Sequence, residues 1–239
     1  MKLLDLTLPT PAENLACDEA LLDACEAGES DEVLRFWEAR ELFVVLGYGK
    51  AAESEVILDN CRADGVPVLR RCTGGGTVVQ GPGCLNYSVI LKIPESGQLS
   101  GIKGTNEYVL ERNRRALQPL VKAPIKLMGQ TDLAVGNLKF SGNAQRRKRS
   151  FLIFHGTLLL DFPLDVIEKY LRLPAIQPDY RNNRPHREFL TNLKITPRQV
   201  KDALRKEWQA QESLHVIPVE LIEELSETQY STNEWNFRI

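Results

Sequence analysis

Two short stretches hold the residues whose types and spacing could do chemistry. In the first, Arg70-Arg71-Cys72-Thr73 runs into Gly74-Gly75-Gly76 and then Thr77-Val78-Val79. In the second, well downstream, Lys139-Phe140-Ser141-Gly142-Asn143-Ala144-Gln145 sets one lysine among small side chains. Glycine lets a backbone come close to a ligand and adopt positive φ. Freed N–H groups beside fixed guanidinium groups form a cradle for phosphate or carboxylate. A lysine among small residues suits a point charge directed at a reacting carbonyl or phosphoryl oxygen. Plainer readings stand beside these. A Gly triplet after a strand also makes a tight turn, and a lysine before Ser-Gly also makes a solvated side chain.

The elements that must position these stretches can be read from periodicity. Val66-Pro67-Val68-Leu69 reads as a short strand feeding the first stretch. Strands are expected over 1–7, 31–37, 42–47, 86–93, 133–135 and 151–160, with a last one at 215–219. Helices are expected over 13–27, 52–64 (closed by Gly65), 105–121, 164–171, 197–211 and 222–230. Pro174 to Glu188, rich in Pro, Arg and Asn, reads as a long irregular loop. Strands and helices are mixed without strict βαβ alternation. That favours an α+β fold with a largely antiparallel or mixed central sheet flanked by helices. No internal repeat or linker is visible, so residues 1–239 are expected to form one domain.

Composition limits the classes of function. The chain has 239 residues, 43% hydrophobic and 26% charged, with a formal net charge of −2. That balance gives no global case for nucleic acid or membrane. The run Arg146-Arg147-Lys148-Arg149 is a local exception, open to a solvated turn or to a contact with phosphate or an acidic carrier. Cys17, Cys25, Cys61, Cys72 and Cys84 match no disulfide framework or zinc spacing. This usage, with no signal peptide or apolar span, points to the cytoplasm.

The sequence resembles the lipoate–protein ligase A family of the biotin/lipoate ligase superfamily. The likeness is carried, in order, by Asn14-Leu15-Ala16-Cys17-Asp18-Glu19-Ala20-Leu21-Leu22, by Val44-Val45-Leu46-Gly47-Tyr48, and by the Arg-Arg-x-Thr-Gly-Gly-Gly-Thr-Val stretch. It continues through Lys139-x-Ser141-Gly142-Asn143-Ala144-Gln145 with His155-Gly156-Thr157, the segment from Tyr180-Arg181 to Leu193, and Glu234-Trp235-Asn236-Phe237. The resemblance implies a central sheet with the ligand in a tunnel over it. It also implies ATP-dependent activation of lipoate to lipoyl-AMP and transfer to a lysine of a lipoyl carrier domain. That carrier would be a 2-oxoacid dehydrogenase E2 subunit or a glycine cleavage H protein.

Carried over residue by residue, Arg70 and Arg71 would hold carboxylate and phosphate oxygens. Gly74, Gly75, Gly76, Thr77, Val78 and Val79 would line the nucleotide and acyl head. Lys139 would be the catalytic cation, and Asp132 would face Mg²⁺. Ser141, Gly142, Asn143 and Ala144 would close over the adenylate, and His155 and Gly156 would lie beside the acyl tunnel. Two departures matter. Gln80-Gly81 stands where many ligases have His-Asp. The chain also ends at Ile239, just after the Glu-Trp-Asn-Phe block, where larger ligases continue into an accessory domain. A separate chain could supply that domain. The alternatives are an ATP-independent octanoyl or lipoyl transferase with a cysteine thioester, and a non-catalytic lipoate-binding or carrier-docking subunit. The transferase would need a cysteine near Lys139, and residues 118–138 and 150–154 contain none.

Overall fold

The computed structural model describes residues 1–239. Its eleven strands are β1 (Lys2–Asp5), β2 (Val33–Glu38), β3 (Phe43–Leu46), β4 (Val68–Arg70), β5 (Val78–Gln80), β6 (Cys84–Lys92), β7 (Ile125–Met128), β8 (Asp132–Val135), β9 (Leu138–Arg147), β10 (Phe151–Leu159) and β11 (Glu212–Ser213). The helices are α1 (Pro11–Glu26), α2 (Ala52–Glu55), α3 (Leu58–Asp64), α4 (Ile102–Leu117), α5 (Asp165–Tyr170), α6 (His186–Phe189), α7 (Pro197–Glu207), α8 (Val219–Leu225) and α9 (Asn233–Asn236). An eight-stranded sheet has the order β11-β1-β2-β6-β10-β9-β8-β7, and a three-stranded sheet has the order β4-β3-β5. Only β1/β11, β1/β2 and β3/β4 are parallel, so the expected mixed α+β sheet is present.

Side-chain alternation splits the large sheet into two unlike faces. Leu34 and Phe36 of β2, Tyr87 and Val89 of β6, and Leu152 and Phe154 of β10 pack with Val109 and Leu117 of α4 and Leu204 of α7. The residues between them, Arg35, Trp37, Asn86, Ser88, His155 and Thr157, face the other way. They are largely polar, yet most are buried. Helix α1 and the small sheet cover this second face, with Leu15, Trp37, Phe43 and Val45 in a second core. Helix α1 begins with a capping box between Thr10 and Glu13 and Pro11 in its first turn. It is buried almost all round because it lies between the sheet and α8.

Several elements differ from the sequence expectation. The helix expected over 52–64 is two helices. Val56 is extended and bridges Leu171, and Ile57 N–H donates to Tyr170 O, which breaks the run. The stretch around Lys139, outside every expected element, is β9, a central strand between β10 and β8. Its small residues have weak intrinsic strand preference, and pairing on both sides overrides it. The strand expected at 215–219 is absent. Two residues, 212 and 213, pair with β1 instead, and Pro218 precedes α8. The last expected helix ends as α8, followed by a π-helical turn at Ser226–Tyr230. Strands β5 and β7, too short to stand out in sequence, complete the two sheets.

Candidate functional site

A cavity of about 780 Å³ opens between the polar face of the large sheet, the small sheet and the 172–190 segment. The Gly-rich stretch forms part of its roof. Gly75 has φ +87°, a conformation open to glycine, and a Cβ there would come within 3.0 Å of Arg71 Nη2. A Cβ on Gly47, at the end of β3, would strike Gly75 O at 2.1 Å. The close approach is therefore made by Gly47 and Gly75. Gly76 lines the cavity with open space around it, and Gly74 does not line it.

The two arginines have separated roles. Arg71 lines the cavity and binds the loop to itself, donating from Nη2 to Gly74 O at 2.6 Å and Gly76 O at 2.7 Å. Burial lowers its pKa to about 10, so it remains charged at neutral pH. Arg70 departs from the expectation. Its side chain is buried away from the cavity and its donors meet backbone carbonyls of Gly47, Tyr48, Lys50, Trp235 and Asn236. Its guanidinium holds the C-terminal helix α9 against the end of β3 and does not line the cavity.

Lys139 reaches the cavity through an irregularity in the sheet. Leu133 and Ala134 of β8 sit opposite Ser141 and Lys139, so Phe140 is the extra residue of a β-bulge. Phe140 is fully buried in the core. Lys139 Nζ lies in the cavity, 2.7 Å from Asp132 Oδ1. Its ammonium stands 2.8 Å from where a Cβ on Gly142 would be, closer than such an atom tolerates. Gly142 thus makes the room for the cation. Tyr180 donates to the other oxygen of Asp132 at 2.7 Å, and burial next to this carboxylate pushes the Tyr180 phenol far up. Thr191 N–H donates to Lys139 O, which fixes the strand from the 190 side.

The remaining expected residues also meet here. Thr77, Val78, Val79, Ser141, Asn143, Ala144, His155 and Gly156 all line the cavity. Asn143 is a brace: it accepts from the Tyr87 hydroxyl and donates to Thr131 O at 2.7 Å, which places the turn before Asp132. His155 is held by a chain of hydrogen bonds. Arg71 Nε donates to Thr73 Oγ1 at 3.0 Å, Thr73 Oγ1 lies 2.7 Å from His155 Nε2, and His155 Nδ1 lies 2.9 Å from Asp18 Oδ2. A neutral ring with its proton on Nδ1 satisfies every member. His155 is a wall residue with both nitrogens occupied. Burial pushes the Asp18 carboxyl up, but Arg35, His155 and Ser88 outweigh that and hold it below the carboxylate range. Asp18, Tyr180 and the Gln80–Asn86 wall were not predicted. Asp18 and Tyr180 sat unassigned inside quoted blocks, Gln80 stood only as a departure beside Val79, and Asn86 comes from outside every quoted block.

The donor set does not make a magnesium cage. Both Asp132 oxygens are already engaged, by an ammonium and a phenol, and no group of three or more His, Cys, Asp or Glu side chains is arranged for an ion. The basic run is mostly spent internally: Arg146 pairs with Glu19, Arg147 binds Thr105 and Leu99 O, and Lys148 pairs with Asp23. Arg181 and Arg184 brace the 180–188 segment against Phe189. His186 is buried there, which lowers its pKa, with Nε2 near Arg172 O. All five cysteines are free and buried, and none lines the cavity. Burial pushes the thiols of Cys72 and Cys84 up to about 12.

A buried guanidinium beside a Gly-rich loop and a lysine on a central strand line one cavity, a pairing of cations suited to anionic groups. The lipoyl protein ligase A/B catalytic domain matches residues 10–209, and the chain belongs to that family. It is 29% identical to lipoate-protein ligase A subunit 1 of Thermoplasma acidophilum, over 97% of this chain and 95% of that one. It is 26% identical to the octanoyltransferase LipM of Geobacillus kaustophilus, over 95% and 94%. A crystal structure of lipoate-protein ligase A bound with ATP superposes with a TM-score of 0.83 at 26% identity, covering 99% of this chain and 98% of that one. The family is enzymatic and includes both ligases and octanoyltransferases. No helix is long and apolar enough to cross a membrane.

Proposed function

We infer that this chain, as a single catalytic domain, is an ATP-dependent lipoate–protein ligase. It activates the carboxylate as an acyl-adenylate, releasing pyrophosphate, and passes the acyl group to a carrier-domain lysine. The observation that carries this reading is one cavity holding Lys139 and the Arg71-braced loop with no thiol in its lining. A carboxylate attacking the α-phosphorus, and later a lysine amine attacking the acyl carbon, both build charge on oxygen. A fixed ammonium beside exposed backbone N–H groups stabilises that charge without reorganising. Arg71 acts by shaping the loop. Asp132 and Tyr180 hold Lys139 until substrate oxygens compete for it. Magnesium, on this reading, arrives with the nucleotide phosphates.

The relative named as a subunit supports a second chain that supplies the accessory domain. Free, buried cysteines suit a reducing compartment such as the cytoplasm. The octanoyltransferase relatives keep one rival alive. The deciding experiment is lipoate-dependent ATP–pyrophosphate exchange, followed by mass analysis of an acceptor lipoyl domain. Exchange should appear, and Cys72→Ser should retain it within roughly tenfold, or ~1.4 kcal/mol of barrier. ATP-independent octanoyl transfer, with an acyl thioester trapped on Cys72 or Cys84, would make the chain a transferase.

A further inference from the structure

The rim of the cavity carries charged and apolar side chains that the chemistry inside does not use. Residues 172–190 hold four arginines, Arg172, Arg181, Arg184 and Arg187, against two carboxylates, Asp179 and Glu188. The segment is net positive on a chain whose net charge is −2. Its arginines are of two kinds. Arg181 and Arg184 build the segment. Arg184 donates to the carbonyls of Tyr180, Glu188 and Asn137, and both guanidinium groups lie over the Phe189 ring. Arg172 and Arg187 are exposed, and neither guanidinium pairs with a carboxylate. Their main chains are fixed all the same. Arg172 N–H donates to Glu55 O at 2.9 Å, Arg172 O lies 3.3 Å from His186 Nε2, and Arg187 N–H donates to Glu168 Oε1 at 3.2 Å. Because His186 precedes Arg187, these contacts bring the two free cations to one stretch of rim.

Two large aliphatic side chains stand beside them. Leu173 is 51% exposed, and Ile176, at 83%, is the most exposed large apolar side chain of the protein. Arg172 and Ile176 are exposed and also line the cavity, so they mark its mouth. Apolar contact area ringed by arginine is the composition of a protein–protein interface. The ligase reading names the occupant. ATP and the free acid are small enough for a cavity of about 780 Å³, and a folded carrier domain is not. Only the carrier's lysine side chain enters, so the surface around that lysine must lie on the rim. Tyr180, which helps to hold Lys139 through Asp132, belongs to this same segment. A carrier seated on it has its lysine beside the reacting cation. Carboxylates near that lysine would complement the two free guanidinium groups and steer the encounter.

We propose that Arg172 and Arg187, with Leu173 and Ile176, form the docking surface for the carrier domain and select a carrier whose lysine is flanked by carboxylates. The docking surface rests on the ligase reading of the cavity. Calorimetric titration of an unmodified lipoyl domain into the wild-type chain, the Arg172→Glu/Arg187→Glu double variant and Ile176→Asp tests it. All three side chains are exposed, so the variants keep the fold. Charge reversal should weaken carrier binding about tenfold or more at low salt, and the gap should shrink at high salt. Ile176→Asp should weaken it at both. A lipoyl domain whose carboxylates beside the lysine are changed to lysine should regain affinity for the reversed chain. Hydroxylamine, given with ATP and lipoate, then replaces the carrier as acceptor. Its nitrogen bonds to the acyl carbon, the bond to AMP breaks, a proton passes to water, and the hydroxamate is counted. Hydroxylamine needs no docking, so the variants should form hydroxamate within about twofold of wild type. Equal carrier affinity in wild type and variants, or no carrier binding by the wild type, would overturn the docking surface and leave the ligase reading standing. Hydroxamate lost in step with lipoylation would give the arginines to the nucleotide phosphates and also overturn it. If the wild type forms no hydroxamate, the ligase reading fails, and the titration still decides the docking surface.

Discussion

At the scale of single residues, Lys139 depends on what its neighbours lack. Gly142 leaves the space that the ammonium occupies, and Asp132 and Tyr180 fix its direction. Gly142→Ala is therefore an indirect test of the cation. The added methyl meets the free end of a flexible side chain, which moves aside at little cost to the fold. The displaced charge should lower adenylate formation by about a hundredfold, ~2.7 kcal/mol, while the melting temperature shifts by less than about 3 °C. Paired pyrophosphate-exchange and thermal-melt measurements check this. Wild-type activity in the alanine variant would mean that Lys139 does not act from the position seen here.

At the scale of elements, Arg70 joins pieces that sequence holds far apart. Its backbone N–H donates to Asn236 Oδ1, its carbonyl accepts from Trp235 Nε1, and its guanidinium serves five carbonyls on either side. Strand β4, the turn after β3 and helix α9 thus meet at one side chain. Arg70→Met keeps length and removes every side-chain donor. Several buried carbonyls lose their partners, so the variant should be destabilised by about 3 kcal/mol or more, roughly 6–12 °C in melting temperature for a chain of this size. Denaturant titration and calorimetry give the numbers. If the fold is as stable as wild type but nucleotide binding is lost, Arg70 belongs to the ligand after all.

At the scale of the whole molecule, the polar face of the large sheet is tied to α1 through Asp18. This carboxylate takes bonds from Arg35, Ser88 and His155, and its folded pKa lies below its ordinary value. The unfolded chain therefore binds that proton more readily. The contribution of Asp18 is complete above about pH 4 and is lost as pH falls through its lowered folded value. Asp18→Asn should be less stable than wild type at neutral pH, and the gap should narrow as the pH drops below about 4. Parallel stability curves across that range would remove Asp18 from the acid response.

How much the sequence could give follows from what each signal depends on. Alternation and helical periodicity are local, so most strands and the body of α1 were legible from composition and spacing, while its Thr10 cap and Pro11 start were not read. The Gly-rich loop and Lys139 were legible because glycine freedom and a lone cation among small residues are local properties too. The tertiary structure decided the rest. Arg70 and Arg71 are adjacent and alike in sequence, and successive residues of an extended chain point to opposite sides. One lines the cavity and the other pins α9. The small-residue stretch 139–145 carries no clear strand signal, and only pairing with β8 and β10 on both sides makes it a strand. Gln80, Asn86 and Thr157 come from three separate strands, and no spacing rule joins them. Residue types and local geometry determined which groups could do chemistry, and the strand register decided which of them share a cavity.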